Sequence, residues 1–113
     1  MVQNRLDSTF HALADPTRRG MLASLALGDR SIGELGAPFD MSFAGASKHV
    51  KVLEGAGLIE RRKAGRRQIC TLRPKPLEEA ERWLRQWEQF WTVRLDRLEA
   101  LIERDTKTET PNG

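Results

Sequence analysis

Residues 41–73 read Met-Ser-Phe-Ala-Gly-Ala-Ser-Lys-His-Val-Lys-Val-Leu-Glu-Gly-Ala-Gly-Leu-Ile-Glu-Arg-Arg-Lys-Ala-Gly-Arg-Arg-Gln-Ile-Cys-Thr-Leu-Arg. Ser42 suits a helix N-cap, because its hydroxyl can accept an orphan N–H of the first turn. Ala46, Val50 and Leu53 recur on one helical face and are expected to pack inward. Ser47, Lys48 and Lys51 fall on other faces and are expected in solvent. Gly55-Ala-Gly57 stops the helix. Leu58 to Lys63 and Arg67 to Leu72 are strand candidates. Ala64-Gly65 lies between them, and glycine supplies the positive φ of a tight turn. The stretch therefore predicts a helix with a polar, basic face, followed by a cationic β-hairpin.

Working outward, Leu6, Phe10, Leu13 and Ala14 repeat at helical spacing and predict a short first helix. Asp15 can cap the next helix, with Pro16 at its first position. That helix carries Met21, Leu22, Leu25 and Ala26 and ends at Gly28. Ser31 caps a third, short helix, and Glu34 three residues on completes a capping box. Gly36-Ala-Pro-Phe-Asp breaks it. Two helices at 31–36 and 42–55 joined by a short turn form a helix-turn-helix. With the hairpin, the expected architecture is mainly α with a small β-hairpin, a winged helix-turn-helix. Pro76 is expected to open a long closing helix running to about Arg104, roughly 43 Å at 1.5 Å per residue. The 113 residues suffice for one domain, expected over 1–104, with 105–113 as a disordered tail.

Charge is unevenly spread. Residues 1–41 carry a net −1, residues 42–75 a net +7 and residues 76–113 a net −3. A concentrated positive segment suits a polyanion, since each neutralised phosphate releases condensed counterions. The competing reading is a plain solvated surface. Cys70 is the single cysteine, which excludes an internal disulfide and a cysteine-rich metal motif. On its strand, Cys70 reads as a packed small residue; a redox role would need an exposed thiolate and a second subunit's thiol. No apolar run reaches membrane-spanning length and no signal-peptide core stands at the start, so a cytoplasmic protein is expected. No acid–base pair surrounds a nucleophile and no phosphate-cradling loop occurs, so an enzyme is not expected, and no cofactor.

Trp83, Trp87 and Trp91 recur every four residues, and Leu84, Phe90, Leu95, Leu98 and Ile102 join them on the same helical side. Such a stripe needs a surface to cover it. A dimer core, shared with Phe10 of the first helix, is the favoured reading. An aromatic pocket for an apolar, unidentified small-molecule effector is the other.

Phe10-His-Ala-Leu-Ala-Asp-Pro-Thr-Arg-Arg and Ser47-Lys-His-Val-Lys-Val-Leu-Glu-Gly-Ala-Gly-Leu-Ile together resemble the opening motif and the recognition-helix signature of the ArsR-type family of bacterial regulators. The resemblance covers about residues 6–104. Phe90-Trp-Thr-Val-Arg-Leu-Asp-Arg-Leu-Glu is similar to a metal-free subgroup of the kind often encoded beside SRPBCC-type proteins. The resemblance implies a homodimer, through its first and last helices, that binds inverted repeats near its own gene and is released by an effector. Metal-sensing members carry cysteines in the third helix or His and Asp pairs in the last. Here the third helix reads Ile-Gly-Glu-Leu-Gly-Ala and the last lacks histidine, so no metal site is expected.

The resemblance places the recognition helix at about 42–55 and the wing at about 60–69. The DNA-facing candidates on the helix are Ser42, Phe43, Ala44, Gly45, Ser47, Lys48, His49 and Lys51. His49 reads equally well as a partly buried histidine bonded within the fold. Family members often offer a polar pair where this chain has Phe43, Ala44 and Gly45, so DNA shape and dimer spacing are expected to contribute to specificity. On the wing the candidates are Arg61, Lys63, Arg66 and Arg67, with Arg66 and Arg67 at the tip as the leading pair. Thr17, Arg18 and Arg19 are weaker candidates for backbone contact. The expected function is a sequence-specific, double-stranded DNA-binding regulator, an autoregulatory repressor. The alternative is a winged-helix module that docks a partner protein, which the +7 segment disfavours.

Overall fold

The computed structural model describes residues 2–109. The chain forms two compact units that meet in sequence between Ala80 and Glu81. The first holds α1 (Val2–Leu13), α2 (Pro16–Ala26), β1 (Arg30–Ser31), α3 (Ile32–Gly36), a 3₁₀ turn (Ala37–Phe39), α4 (Phe43–Gly55), β2 (Ile59–Ala64) and β3 (Arg67–Leu72). Helix α5 (Lys75–Arg85) crosses the boundary, and α6 (Glu88–Glu109) lies in the second unit.

The helix starts follow from local chemistry. The Asp15 carboxylate accepts the Arg18 N–H at 3.0 Å, and Pro16 opens α2. Ser31 and Glu34 form a reciprocal box: the Ser31 hydroxyl accepts from Glu34 N at 3.1 Å, and Glu34 Oε1 accepts from Ser31 N at 2.9 Å. Ser42 accepts from Gly45 N at 3.1 Å and starts α4. Each contact satisfies a donor that the helix itself leaves without a partner.

Between α3 and α4 the chain turns through Asp40, whose φ of 51° is the left-handed conformation that Asp tolerates better than most residues. Gly36 lets the two helices approach. A Cβ placed there would meet the Ala46 Cβ at 2.8 Å. The tight α3–α4 corner therefore requires glycine at 36.

The sheet is antiparallel with strand order β1-β3-β2. The expected hairpin pairs Ile59 with Leu72 and Ala64 with Arg67. Gly65, at φ 65°, is the first of two turn residues, the position a glycine-led hairpin turn requires. The third strand, β1, lies outside the two-stranded expectation and pairs Arg30 with Cys70 and Ser31 with Ile69. It joins the start of α3 to the wing. The core gathers Ala12, Met21, Leu22, Leu25, Ile32, Leu35, Ala46, Val50, Leu53, Leu58, Ile59 and Cys70. The three inward positions predicted for α4 are all among them.

In the second unit the expected continuous closing helix is interrupted. Gln86 N donates to Trp83 O at 3.2 Å and Trp87 N to Leu84 O at 3.0 Å, which is three-residue spacing, before Trp91 N returns to Trp87 O at 3.1 Å. The tightened turn ends α5 at Arg85 and restarts the helix at Glu88. Neither Pro nor Gly stands at this break, so no local breaker signals it. Helix α6 continues to Glu109, past the expected boundary at 104, and residues 110–113 of the expected tail lie outside the described residues.

Candidate nucleic-acid interface

Helix α4 buries Ala46, Val50 and Leu53, which turns Ala44, Lys48 and Lys51 to solvent on the opposite side. Phe43 is 63% exposed at the first turn. Ser42 is exposed with its hydroxyl capping the helix, and Gly45 and Ser47 are half-buried. Beside Phe43 runs a groove of about 420 Å³ whose lining includes Ile32, Glu34, Ala37, Arg66, Arg67 and Gln68. The first turn of α4 and the wing tip thus share one surface.

The arginines divide into two groups. Arg61 reaches back from β2 to the end of α4 and donates to Glu54 through NH2 at 2.5 Å and Nε at 3.3 Å. That contact lowers the Glu54 carboxyl and raises the Arg61 guanidinium from their ordinary values. Arg62 pairs with Asp29 at 3.4 Å. Arg67 donates to Ser31 Oγ at 3.2 Å and to Glu34 Oε1 at 3.3 Å, tying β3 to the start of α3. Arg73 pairs with Glu60 across the hairpin. These pairs brace the wing against three neighbouring segments. Lys48, Lys63 and Arg66 are exposed and make no hydrogen bond or ion pair within the described residues.

At the start of α2 the candidates behave differently again. Arg18 folds inward: its Nε donates to Ala12 O at 2.8 Å, its NH2 to His11 O at 3.0 Å, and its NH1 approaches His49 Nδ1 at 3.2 Å. Asp15 Oδ2 stands 3.9 Å from the same His49 nitrogen. The Asp15 carboxyl is held below its usual range, first by the Arg18 backbone N–H. Arg19 is exposed, and its NH1 donates to Leu13 O at 2.8 Å. Thr17 is half-buried.

Asp29, Glu34 and Glu54 anchor the wing, a role the sequence did not single out. Glu34 was legible only as the capping-box partner of Ser31, and Glu54 only as an acid shortly before a basic strand; their arginine partners are set by the fold. Cys70 is buried on β3, and burial pushes its thiol up, so the reactive thiolate is disfavoured. Among the described residues no three His, Cys, Asp or Glu side chains gather to hold a metal ion, and no helix is long and apolar enough to cross a membrane.

The dimerisation candidates of the second unit lie open. Trp83, Trp87, Phe90, Trp91, Leu95, Leu98 and Ile102 are all exposed. Trp83 and Trp87 meet edge to face with centroids 5.9 Å apart, and Trp87 meets Phe90 at 5.9 Å. Phe10 of α1 is half-buried.

Residues 13–62 match a family model described as a helix-turn-helix domain. The chain is 36% identical over 99 residues to the HTH-type transcriptional regulator Rv2034 of Mycobacterium tuberculosis, covering 88% of this chain and 90% of that protein. It is similar to a crystal structure of an ArsR family transcriptional regulator, at 38% identity and a TM-score of 0.74, over 80% of this chain and 93% of that one. It is also similar to the solution structure of the homodimeric winged helix-turn-helix DNA-binding domain Mb0332 from Mycobacterium bovis, a possible ArsR-family regulator, at 26% identity and a TM-score of 0.59, over 87% and 85% of the two chains. A helix-turn-helix built from α3 and α4, a braced β wing beside it, and this likeness over nearly the whole chain agree: the protein belongs to the ArsR family of winged helix-turn-helix transcriptional regulators.

Proposed function

We propose that the protein is a cytoplasmic homodimer that binds an inverted repeat in double-stranded DNA near its own gene and represses transcription there. Helix α4 enters the major groove, which is wide enough to admit an α-helix. Ala44, Ser47, Lys48 and Lys51 face base edges and phosphates, and Phe43 meets a thymine methyl group. Ser42 and Gly45 bring the helix start close to the backbone. Lys63 and Arg66 at the wing tip contact phosphate or the minor groove, while Arg61 and Arg67 hold the wing in place. Thr17 and Arg19 lie at the phosphate edge. Two such heads reach successive major grooves about 34 Å apart when the second units pair across a two-fold axis. The Mycobacterium bovis relative is itself homodimeric.

The observation that carries this reading is the solvent-facing row Ala44, Lys48 and Lys51 beside a wing tip whose Lys63 and Arg66 have no acidic partner among the described residues. Cations held away from carboxylates remain available for phosphate.

The test is fluorescence anisotropy with the duplex upstream of the protein's own gene, beside a shuffled duplex, at two salt concentrations. Selective binding with a steep salt slope is expected. Lys63→Ala with Arg66→Ala should weaken binding to both duplexes and flatten the slope by about 0.9 for each phosphate no longer neutralised. Absence of binding at low salt would sink the DNA reading and favour docking of a partner protein. An unchanged slope in the double variant would refute the phosphate role of the wing tip.

A further inference from the structure

We propose that Arg18 is a positioning residue that locks the recognition helix to the α1–α2 corner and sets the tautomer of His49, leaving the His49 Nε2–H as a donor to a DNA phosphate. The inference rests on the DNA-binding reading above and deepens it.

Valence fixes the tautomer. A guanidinium has N–H donors and no acceptor. At 3.2 Å from Arg18 NH1, His49 Nδ1 must therefore supply a lone pair and carry no proton. The proton of the neutral ring then sits on Nε2. No side-chain N or O of the described residues is both buried and without a partner, and Nε2 has no partner among them, so it opens to solvent. The His49 side chain is 24% exposed, which fits a ring with one nitrogen inside and one outside. His49 follows Lys48 on α4, about 100° further around the helix, and its partly exposed ring stands between the exposed Lys48 and the buried Val50 in sequence.

The guanidinium is itself fixed. Two other donors close onto the carbonyls of His11 and Ala12, at the end of α1, and its own backbone N–H is held by Asp15. A single side chain thus joins the end of α1, the start of α2 and the middle of α4. Lysine could not do this, because an ammonium is a point charge without the planar fork. Asp15, 3.9 Å from Nδ1, is the group that would take over if that nitrogen were protonated.

The experiment combines imidazole nitrogen NMR on the full chain with anisotropy on the upstream and shuffled duplexes. Free wild-type protein at neutral pH should show His49 as the Nε2–H tautomer, and Arg18→Lys should erase that bias. His49→Asn keeps an acceptor where Nδ1 stands but has no outward donor. It should retain the thermal stability of the wild type and lose about tenfold in affinity, the scale of a hydrogen bond to a charged group. Its salt slope should stay unchanged, because a neutral donor displaces no counterion; a displaced lysine or partial unfolding would alter slope or stability. An Nδ1–H tautomer or an imidazolium in the free protein overturns the lock. Wild-type affinity in His49→Asn overturns the donor role. If the wild type binds neither duplex, the DNA reading falls and takes the donor role with it, while NMR still decides the lock.

Discussion

Residues 4–80 enclose most of their large apolar side chains, whereas residues 81–105 carry theirs in the open. In the first unit Met21, Ile32, Leu35, Val50, Leu53 and Leu58 are at most 2% exposed. In the second, Trp83, Trp87, Phe90, Trp91, Leu95, Leu98, Leu101 and Ile102 are between 38% and 63% exposed. Apart from Leu58 and Trp87, both sets lie on helices, so helical periodicity alone does not distinguish them. The difference is in what the chain supplies on the other side. The first unit folds four helices, α1 to α4, and a short sheet around one cluster. The second offers two consecutive helical pieces and leaves its stripe without a cover inside the unit. A contiguous apolar surface of that kind marks an association site. One region thus closes its apolar core within itself and is the reading head of the proposed function, and the other, on the same proposal, closes its stripe against a second copy.

The most direct way to break this contrast is to make the stripe polar. Trp87→Glu with Trp91→Glu should convert a dimer into a monomer by light scattering. Affinity for an inverted repeat should fall at least 100-fold, because each head then binds its half-site without the effective concentration the other provides. Thermal unfolding of the reading head should persist. A double variant that remains dimeric would show that the stripe is not the interface.

The contrast sharpens when one residue is truncated on each side of it. Leu35→Ala should cost about 2–5 kcal/mol in urea unfolding, since the cavity lies in a packed core. Leu98→Ala, made in the monomeric Trp87→Glu, Trp91→Glu background, should cost well under about 1 kcal/mol, in keeping with a side chain already in solvent. Equal losses would mean that α6 packs within the monomer, against the division between enclosed core and open stripe.

The same division governs what could be read from the sequence. The helix starts were legible because a cap is a contact over three residues: Asp15 to Arg18, Ser31 to Glu34, and Ser42 to Gly45 all lie inside a short window. The inward face of α4 was legible because Ala46, Val50 and Leu53 keep one period. Strand β1 was not, since two residues carry no alternation and Arg30 finds Cys70 only after forty residues. The break after Arg85 was not, since it arises from a tightened turn among helix-forming residues with no glycine or proline.

On the basic face, sequence showed how many cations there are but not how each is engaged. Arg18, Arg61, Arg62 and Arg67 are held by groups between 6 and 36 positions away. Lys63 and Arg66 are chemically like them and stay unheld among the described residues. Such pairings are long-range, and no local pattern encodes them.

The smallest effect expected is acid sensitivity confined to the reading head. Glu34 is held below its ordinary value, first by the Ser31 backbone N–H, and Asp15 first by that of Arg18. A carboxyl whose folded pKa is depressed contributes stability that is fully present above its unfolded value and is lost as pH falls through the folded one. With ordinary values near 4, the loss should begin at about pH 5 and continue to below about pH 4. Melting temperature followed from pH 7 to pH 3 should decline over that window in the wild type. Asp15→Asn and Glu34→Gln should start lower at pH 7 and decline less. The decline should appear equally in the Trp87→Glu, Trp91→Glu monomer, because both caps lie within the first unit. A decline that vanished in the monomer would place the acid-sensitive groups at the dimer interface instead.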